Sequence, residues 1–140
     1  MATIETIYLG ELRTEATHTL SGNKLITDAP LDNRGKGEAF SPSDLLATAL
    51  GSCMLTIMGI TAREQNIDIN GTTCSITKIM ASDPRRVGEA QIIVNFPAGD
   101  YSEKDRAILK RAALTCPVAK SLHPELLQNI IFNFGDEQER

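Results

Sequence analysis

Three cysteines, Cys53, Cys74 and Cys116, are the side chains of this sequence best suited to covalent chemistry. Their number is odd and none of them forms a C-x-x-C pair, so they read as neither a disulfide framework nor a zinc knuckle. Cys116 stands directly before Pro117 in CPVAKSL, a stretch that predicts a short helix over 117–122 with Cys116 at its cap. A thiol there faces unpaired backbone N–H groups and the positive end of the helix dipole, both of which favour thiolate. Cys116 is therefore expected to be poised for reaction, although a small residue chosen only to cap the helix fits the position equally well. Cys53 is set differently, in the middle of an apolar helical stretch that favours the neutral thiol. To act as a nucleophile it needs a cation from elsewhere in the chain, and Arg13 and Arg34 are the candidates by type. Cys74 lies in an alternating segment where core packing accounts for it. His18 and His123 stand alone and far apart, a weak basis for acid–base work or a metal site.

The element that must carry Cys53 runs from Ser41 to Gln65, SPSDLLATALGSCMLTIMGITAREQ. Ser41 can cap it, Pro42 suits the first helical position, and Asp44 places negative charge near the positive end of the dipole. A helix over the whole stretch is roughly 36 Å long, about the width of a small domain. Apolar residues fall on nearly all of its faces, which predicts a buried central helix. The run from Leu45 to Ala62 has the length of a membrane span, but Gly51, Ser52, Cys53, Thr56, Gly59 and Thr61 make it small and polar for one, and no membrane association is expected. Gly51 and Gly59 each cost about 1 kcal/mol relative to Ala in a helix interior, so close packing is expected against them. Asp44 is nine residues before Cys53, roughly 13 Å along the axis and half a turn around it, and cannot reach that thiol on its own helix.

Around this helix the sequence alternates. TIETIYL, LRTEATHTL and KLITDA read as three antiparallel strands, with Ser21-Gly22-Asn23 as a hairpin turn, and the polar loop over 29–40 leads into the helix. Beyond it, TTCSITKIMASDP and VGEAQIIVNF predict a second hairpin that breaks at Asp83-Pro84-Arg85-Arg86. Ser102 with Asp105 predicts the capped start of a second helix reaching Thr115. LLQNIIFNF reads as a last strand, followed by an acidic tail to Arg140. The fold class is thus α+β, in one domain over residues 1–140.

Composition narrows the function. With 14 Lys plus Arg against 18 Asp plus Glu, the net charge is −4, with no basic stripe to hold nucleic acid. MATIETIYLG has no basic region followed by an apolar one, which argues against a secretory signal and for a cytoplasmic protein.

The order of these motifs resembles the OsmC/Ohr family of thiol-dependent peroxidases. The likeness rests on a helix start of the form S/N-P-x-[DE]-L with a cysteine 11 residues after the proline, here Pro42 and Cys53, and on the later pair Cys116-Pro117. It implies an OsmC-like fold, with antiparallel sheets packed around the long central helix in an intertwined homodimer. It also implies reduction of organic hydroperoxides without cofactor or metal. By this resemblance Cys53 is the peroxidatic thiolate, Cys116 resolves its sulfenic acid as a disulfide, and an external thiol restores both. Arg13, on an early strand as in the family, would hold Cys53 as thiolate and polarise the peroxide. The chain departs from the family at Ser43, where the organic-hydroperoxide enzymes carry a Glu that pairs with the Arg. Asp44 is one place later and could serve the site from across a subunit interface. That departure keeps a second expectation open, an OsmC-fold redox sensor or small-molecule binder with little turnover.

Overall fold

The computed structural model of the chain describes residues 1–135 and the strand Gln138–Glu139. Of the expected acidic tail, Asp136, Glu137 and Arg140 lie outside the described residues. The chain divides into two compact units, Met1–Leu46 and Ala47–Arg140.

The first unit is a three-stranded antiparallel sheet in the order β1 (Ile4–Gly10), β2 (Arg13–His18) and β3 (Lys24–Asp28). Its first turn is tight, because Gly10, Glu11 and Leu12 take positive φ values of 87°, 54° and 62°. Only the first is a residue that adopts this region without cost. The turn is held by the Leu12 N–H donating to Tyr8 Oη at 3.3 Å and the Ala29 N–H donating to the Leu12 carbonyl at 3.0 Å. β2 therefore opens on Arg13, whose cross-strand partner in β3 is Asp28. The loop after β3 contains a 3-10 turn, Leu31–Asn33, and folds back on itself at Gly35, where a Cβ would fall 1.7 Å from the Ala29 carbonyl oxygen. Only glycine fits there. The loop ends by rejoining β3, with the Asp28 N–H donating to the Phe40 carbonyl at 3.0 Å.

The helix α1 (Pro42–Glu64) starts in the first unit and continues into the second. Ser41 Oγ accepts from the Asp44 N–H at 3.0 Å and Asp44 Oδ2 accepts from the Ser41 N–H at 2.9 Å, so two otherwise orphaned donors are satisfied reciprocally. The second unit then runs β4 (Thr73–Ala81), β5 (Arg86–Asn95), α2 (Glu103–Leu114), α3 (Pro117–Ser121), β6 (Leu127–Asn133) and β7 (Gln138–Glu139). Its four strands pair in sequence order. β4–β5 and β6–β7 are antiparallel, but β6 runs parallel to β5. The intervening helices supply the long crossover that a parallel pair requires. A reciprocal Ser102–Asp105 cap starts α2, as the sequence predicts.

The core of the second unit brings Leu50, Met54 and Met58 of α1 against Ile92 and Val94 of β5, Leu109 and Ala113 of α2, and Phe132 of β6. Each of the larger side chains contributes roughly 1.5–3 kcal/mol on burial. α1 buries one stripe, Ala47, Leu50, Gly51, Met54, Met58 and Ala62, at helical spacing. All-round burial is not observed in the single chain, since Leu46 and Ile60 are 39% and 53% exposed. The two helix glycines also differ. A Cβ on Gly51 would come within 2.5 Å of Ile76 Cδ1, so β4 packs close there, whereas one on Gly59 would meet nothing within 4 Å.

Candidate functional site

In the second unit the structure brings two of the three thiols together. Cys116 sits at the junction of α2 and α3, its N–H donating to the Ala113 carbonyl at 3.5 Å, and its side chain turns into the core with no exposed surface. Cys53, half-buried, packs against the same core from α1. The two thiols lie near enough for Cys53 to act on the Cys116 thiol, and both are free rather than joined. Burial pushes the Cys116 thiol above its ordinary range, the backbone N–H of Ala119 pulls it back, and the contact with Cys53 raises it again. The helix-end argument for an acidic Cys116 is therefore corrected. α3 has only five residues, and the desolvation of a fully buried side chain outweighs its amides.

Cys74 is placed elsewhere around α1. Its thiol donates weakly to the Gly51 carbonyl at 3.9 Å, on the side where Ile76 meets the helix. Gly51 and Cys53 are about 200° apart around the helix axis, so Cys53 is directed away from β4. Burial raises the Cys74 thiol from 9.0 to about 11. It behaves as a small core residue.

In the first unit Arg13 is gripped by two carboxylates. Its Nε donates to Asp28 Oδ1 at 2.7 Å and its Nη2 to Asp28 Oδ2 at 2.8 Å, a bidentate pair, and Nη2 also reaches Glu38 Oε1 at 2.9 Å. Asp28 is wholly buried while Glu38 is 66% exposed. The Glu38 N–H donates to Asp28 Oδ2 at 3.1 Å, tying the loop to the same carboxylate. Asp28 is held below the usual carboxylate range by Arg13, against the opposing effect of burial and with help from the Glu38 amide. Arg13 is correspondingly held in its charged form by the Asp28 hydrogen bonds. The guanidinium edge at Nη1 has no partner among the described residues, and Arg13 is 31% exposed.

Sequence reasoning did not find Asp28 or Glu38. Both are ordinary acidic residues until the β2–β3 register sets Arg13 opposite Asp28, and no spacing along the chain announces that register. Asp44 is engaged in the cap of α1. Arg34, the alternative cation, is exposed at the end of the 3-10 turn with a φ of 67°. His18 bonds Ser21 in its hairpin, and His123 accepts from the Glu125 N–H, so each has a local structural role.

The fold and paired thiols define a class. The family profile described as OsmC-like protein matches residues 35–127, two thirds of the chain, and the chain belongs to that family. It is similar to the crystal structure of a candidate osmotic stress induced and detoxification response protein from Psychrobacter arcticus 273-4, with 56% identity, a TM-score of 0.91, and coverage of 95% of this chain and 96% of that one. It also shares its fold with the organic hydroperoxide resistance protein OsmC of Legionella pneumophila, at 16% identity and TM-score 0.73, covering 95% and 98% of the two chains. A Vibrio cholerae structure described as an organic hydroperoxide resistance protein, with captopril in one of its active sites, aligns at 14% identity and TM-score 0.73 over 96% and 93%. No curated protein matches the chain.

Proposed function

We propose that this protein is a thiol-dependent peroxidase that reduces organic hydroperoxides through Cys53 and Cys116. The observation that carries the reading is that these two thiols, 63 positions apart in sequence, meet at one apolar core, near enough for Cys53 to push the Cys116 thiol up. Cys53 thiolate attacks the distal peroxide oxygen, the O–O bond breaks, and the alkoxide leaves as an alcohol after taking a proton. Cys53 is then a sulfenic acid. Cys116, as thiolate, attacks that sulfur, a disulfide forms, and hydroxide departs as water with the proton Cys116 gave up. Two equivalents of an external thiol reduce the disulfide and complete the cycle.

Arg13 supplies the fixed cation in this scheme. Its guanidinium does not titrate in the working range, and the Nη1 edge retains two N–H donors for thiolate or peroxide oxygen. Asp44 would act, if it serves the site, from a second copy of the chain. A cytoplasmic homodimer fits the apolar residues that a single chain leaves exposed on α1, Leu46 and Ile60 among them. Sedimentation should then give twice the 15.2 kDa chain mass, and a monomer at working concentration would remove the dimer from the proposal.

The second reading, a redox sensor or small-molecule binder, is favoured by Ser43 in place of a glutamate and by the proton-holding setting of Cys116. Second-order rates with cumene hydroperoxide and hydrogen peroxide separate the two. The peroxidase turns over repeatedly with excess dithiol and prefers the organic substrate by at least about tenfold, the scale of binding an apolar group in a pocket. A single slow oxidation with no preference would favour the sensor.

A further inference from the structure

We infer that Asp28 is the positioning residue for Arg13, fixing which edge of the guanidinium is presented for chemistry. The inference rests on the reading above, in which Arg13 serves the peroxidatic thiol. Its own basis is geometric. An arginine has five N–H donors in a rigid planar fork, so fixing two of them fixes the plane. Asp28 takes Nε and one Nη2 hydrogen, at 2.7 and 2.8 Å, from the strand position directly opposite Arg13. Glu38 takes Nη2 from a more exposed position, and its backbone N–H also bonds Asp28. What remains is the Nη1 edge.

The two carboxylates differ in what they can hold. Asp28 has no exposed surface, its own N–H is tied to Phe40, and its neighbour Thr27 exchanges a hydroxyl hydrogen bond with Thr14 across the same pair of strands. It cannot move without dismantling the end of β3. Glu38 lies on the loop and is two thirds exposed, so water competes for its carboxylate. Asp28 is thus the fixed arm of the clamp and Glu38 the yielding one. A buried carboxylate is unfavourable without a partner, and here the partner, the register and the loop amide all converge on one residue that a solvent-facing ion pair would not need.

The sign of a charge effect separates positioning from simple neutralisation. Were Asp28 only a counterion, Asp28→Asn would leave Arg13 with more uncompensated positive charge and make Cys53 more reactive at low pH. Were it only structural, stability would fall and the pH profile of Cys53 would stay where it is. As a positioning residue its loss lets the fork rotate away, and Cys53 labelling shifts to higher pH.

The test measures site-resolved iodoacetamide labelling of Cys53 across pH, by mass spectrometry, alongside kcat/KM for cumene hydroperoxide. It uses the full chain and its Arg13→Gln, Asp28→Asn, Glu38→Gln and Arg13→Gln/Asp28→Asn variants. The inference expects Asp28→Asn to lower kcat/KM by about tenfold or more, the scale of misplacing a positioned group, and to move Cys53 labelling upward in pH. Glu38→Gln should change kcat/KM by less than about threefold, and the double variant should be no slower than Arg13→Gln alone, as for residues acting through one another. An unshifted or downward-shifted profile in Asp28→Asn, or additive losses in the double variant, overturns it. If Asp28→Asn does not fold, Asp28→Glu gives the same readout, because one added methylene displaces the carboxylate while keeping its charge. Arg13→Gln as active as the parent would overturn the underlying role of Arg13 as well, whereas an impaired Arg13→Gln beside a normal Asp28→Asn overturns the role of Asp28 alone.

Discussion

Arg13 and Asp28 face each other across β2 and β3, and the guanidinium donates to both oxygens of a carboxylate that has no exposed surface. Charge is thereby held within the first unit in one orientation. In the second unit Cys53 is half-buried and Cys116 is fully buried.

The Arg13–Asp28 pair makes acid stability predictable. The folded-state pKa of Asp28 is depressed below 3.8, so its contribution is fully present above that value and is lost as pH falls through the folded pKa. Urea unfolding at a series of acidic pH values should show stability declining in that window. Asp28→Asn should be less stable at neutral pH and should decline less steeply in acid.

Cys116 gives the resolving step a pH dependence of its own. Its raised pKa keeps it protonated at neutral pH, so in the proposed cycle disulfide formation from Cys53 sulfenic acid should accelerate by nearly tenfold per pH unit until the folded pKa is reached. Stopped-flow thiol loss at Cys116 should continue to quicken above pH 9.0, the ordinary thiol value. In Cys116→Ser the sulfenic acid should persist and be captured by dimedone at Cys53.

Cys74 should be silent in turnover. With a pKa of about 11, roughly one molecule in ten thousand carries the thiolate near neutrality. Native-state alkylation should label it last and only in alkaline solution. Its folded pKa is raised, so its stabilising contribution is present below 9.0 and is lost as pH rises towards about 11. Cys74→Ala should leave kcat/KM within about twofold of the parent, the ordinary effect of a residue outside the site, and should flatten the alkaline loss of stability.

What the sequence discloses follows from the range of each interaction. The caps at Ser41–Asp44 and Ser102–Asp105 involve residues three apart and are legible in the chain, as are the strand alternation in β4 and the helix start at Pro117. The clamp on Arg13 depends on strand register between residues 15 positions apart, which no local pattern specifies. The helix-end reading of Cys116 failed because it weighed the dipole of a five-residue helix without the desolvation of a wholly buried side chain. The apolar circumference of α1 is legible, but the chain buries only one stripe of it, Ala47, Leu50, Gly51, Met54, Met58 and Ala62. The parallel pairing of β6 with β5 was likewise hidden, because strand alternation reads the same in either direction.

The pairing of Cys53 with Cys116 is the central claim, and one equivalent of cumene hydroperoxide added to the fully reduced protein tests it. Peptide mapping under non-reducing conditions should recover a single Cys53–Cys116 disulfide, with Cys74 as free thiol and peroxide consumption abolished in Cys53→Ser. A reaction that leaves Cys53 and Cys116 unlinked, together with undiminished consumption in Cys53→Ser, would contradict it.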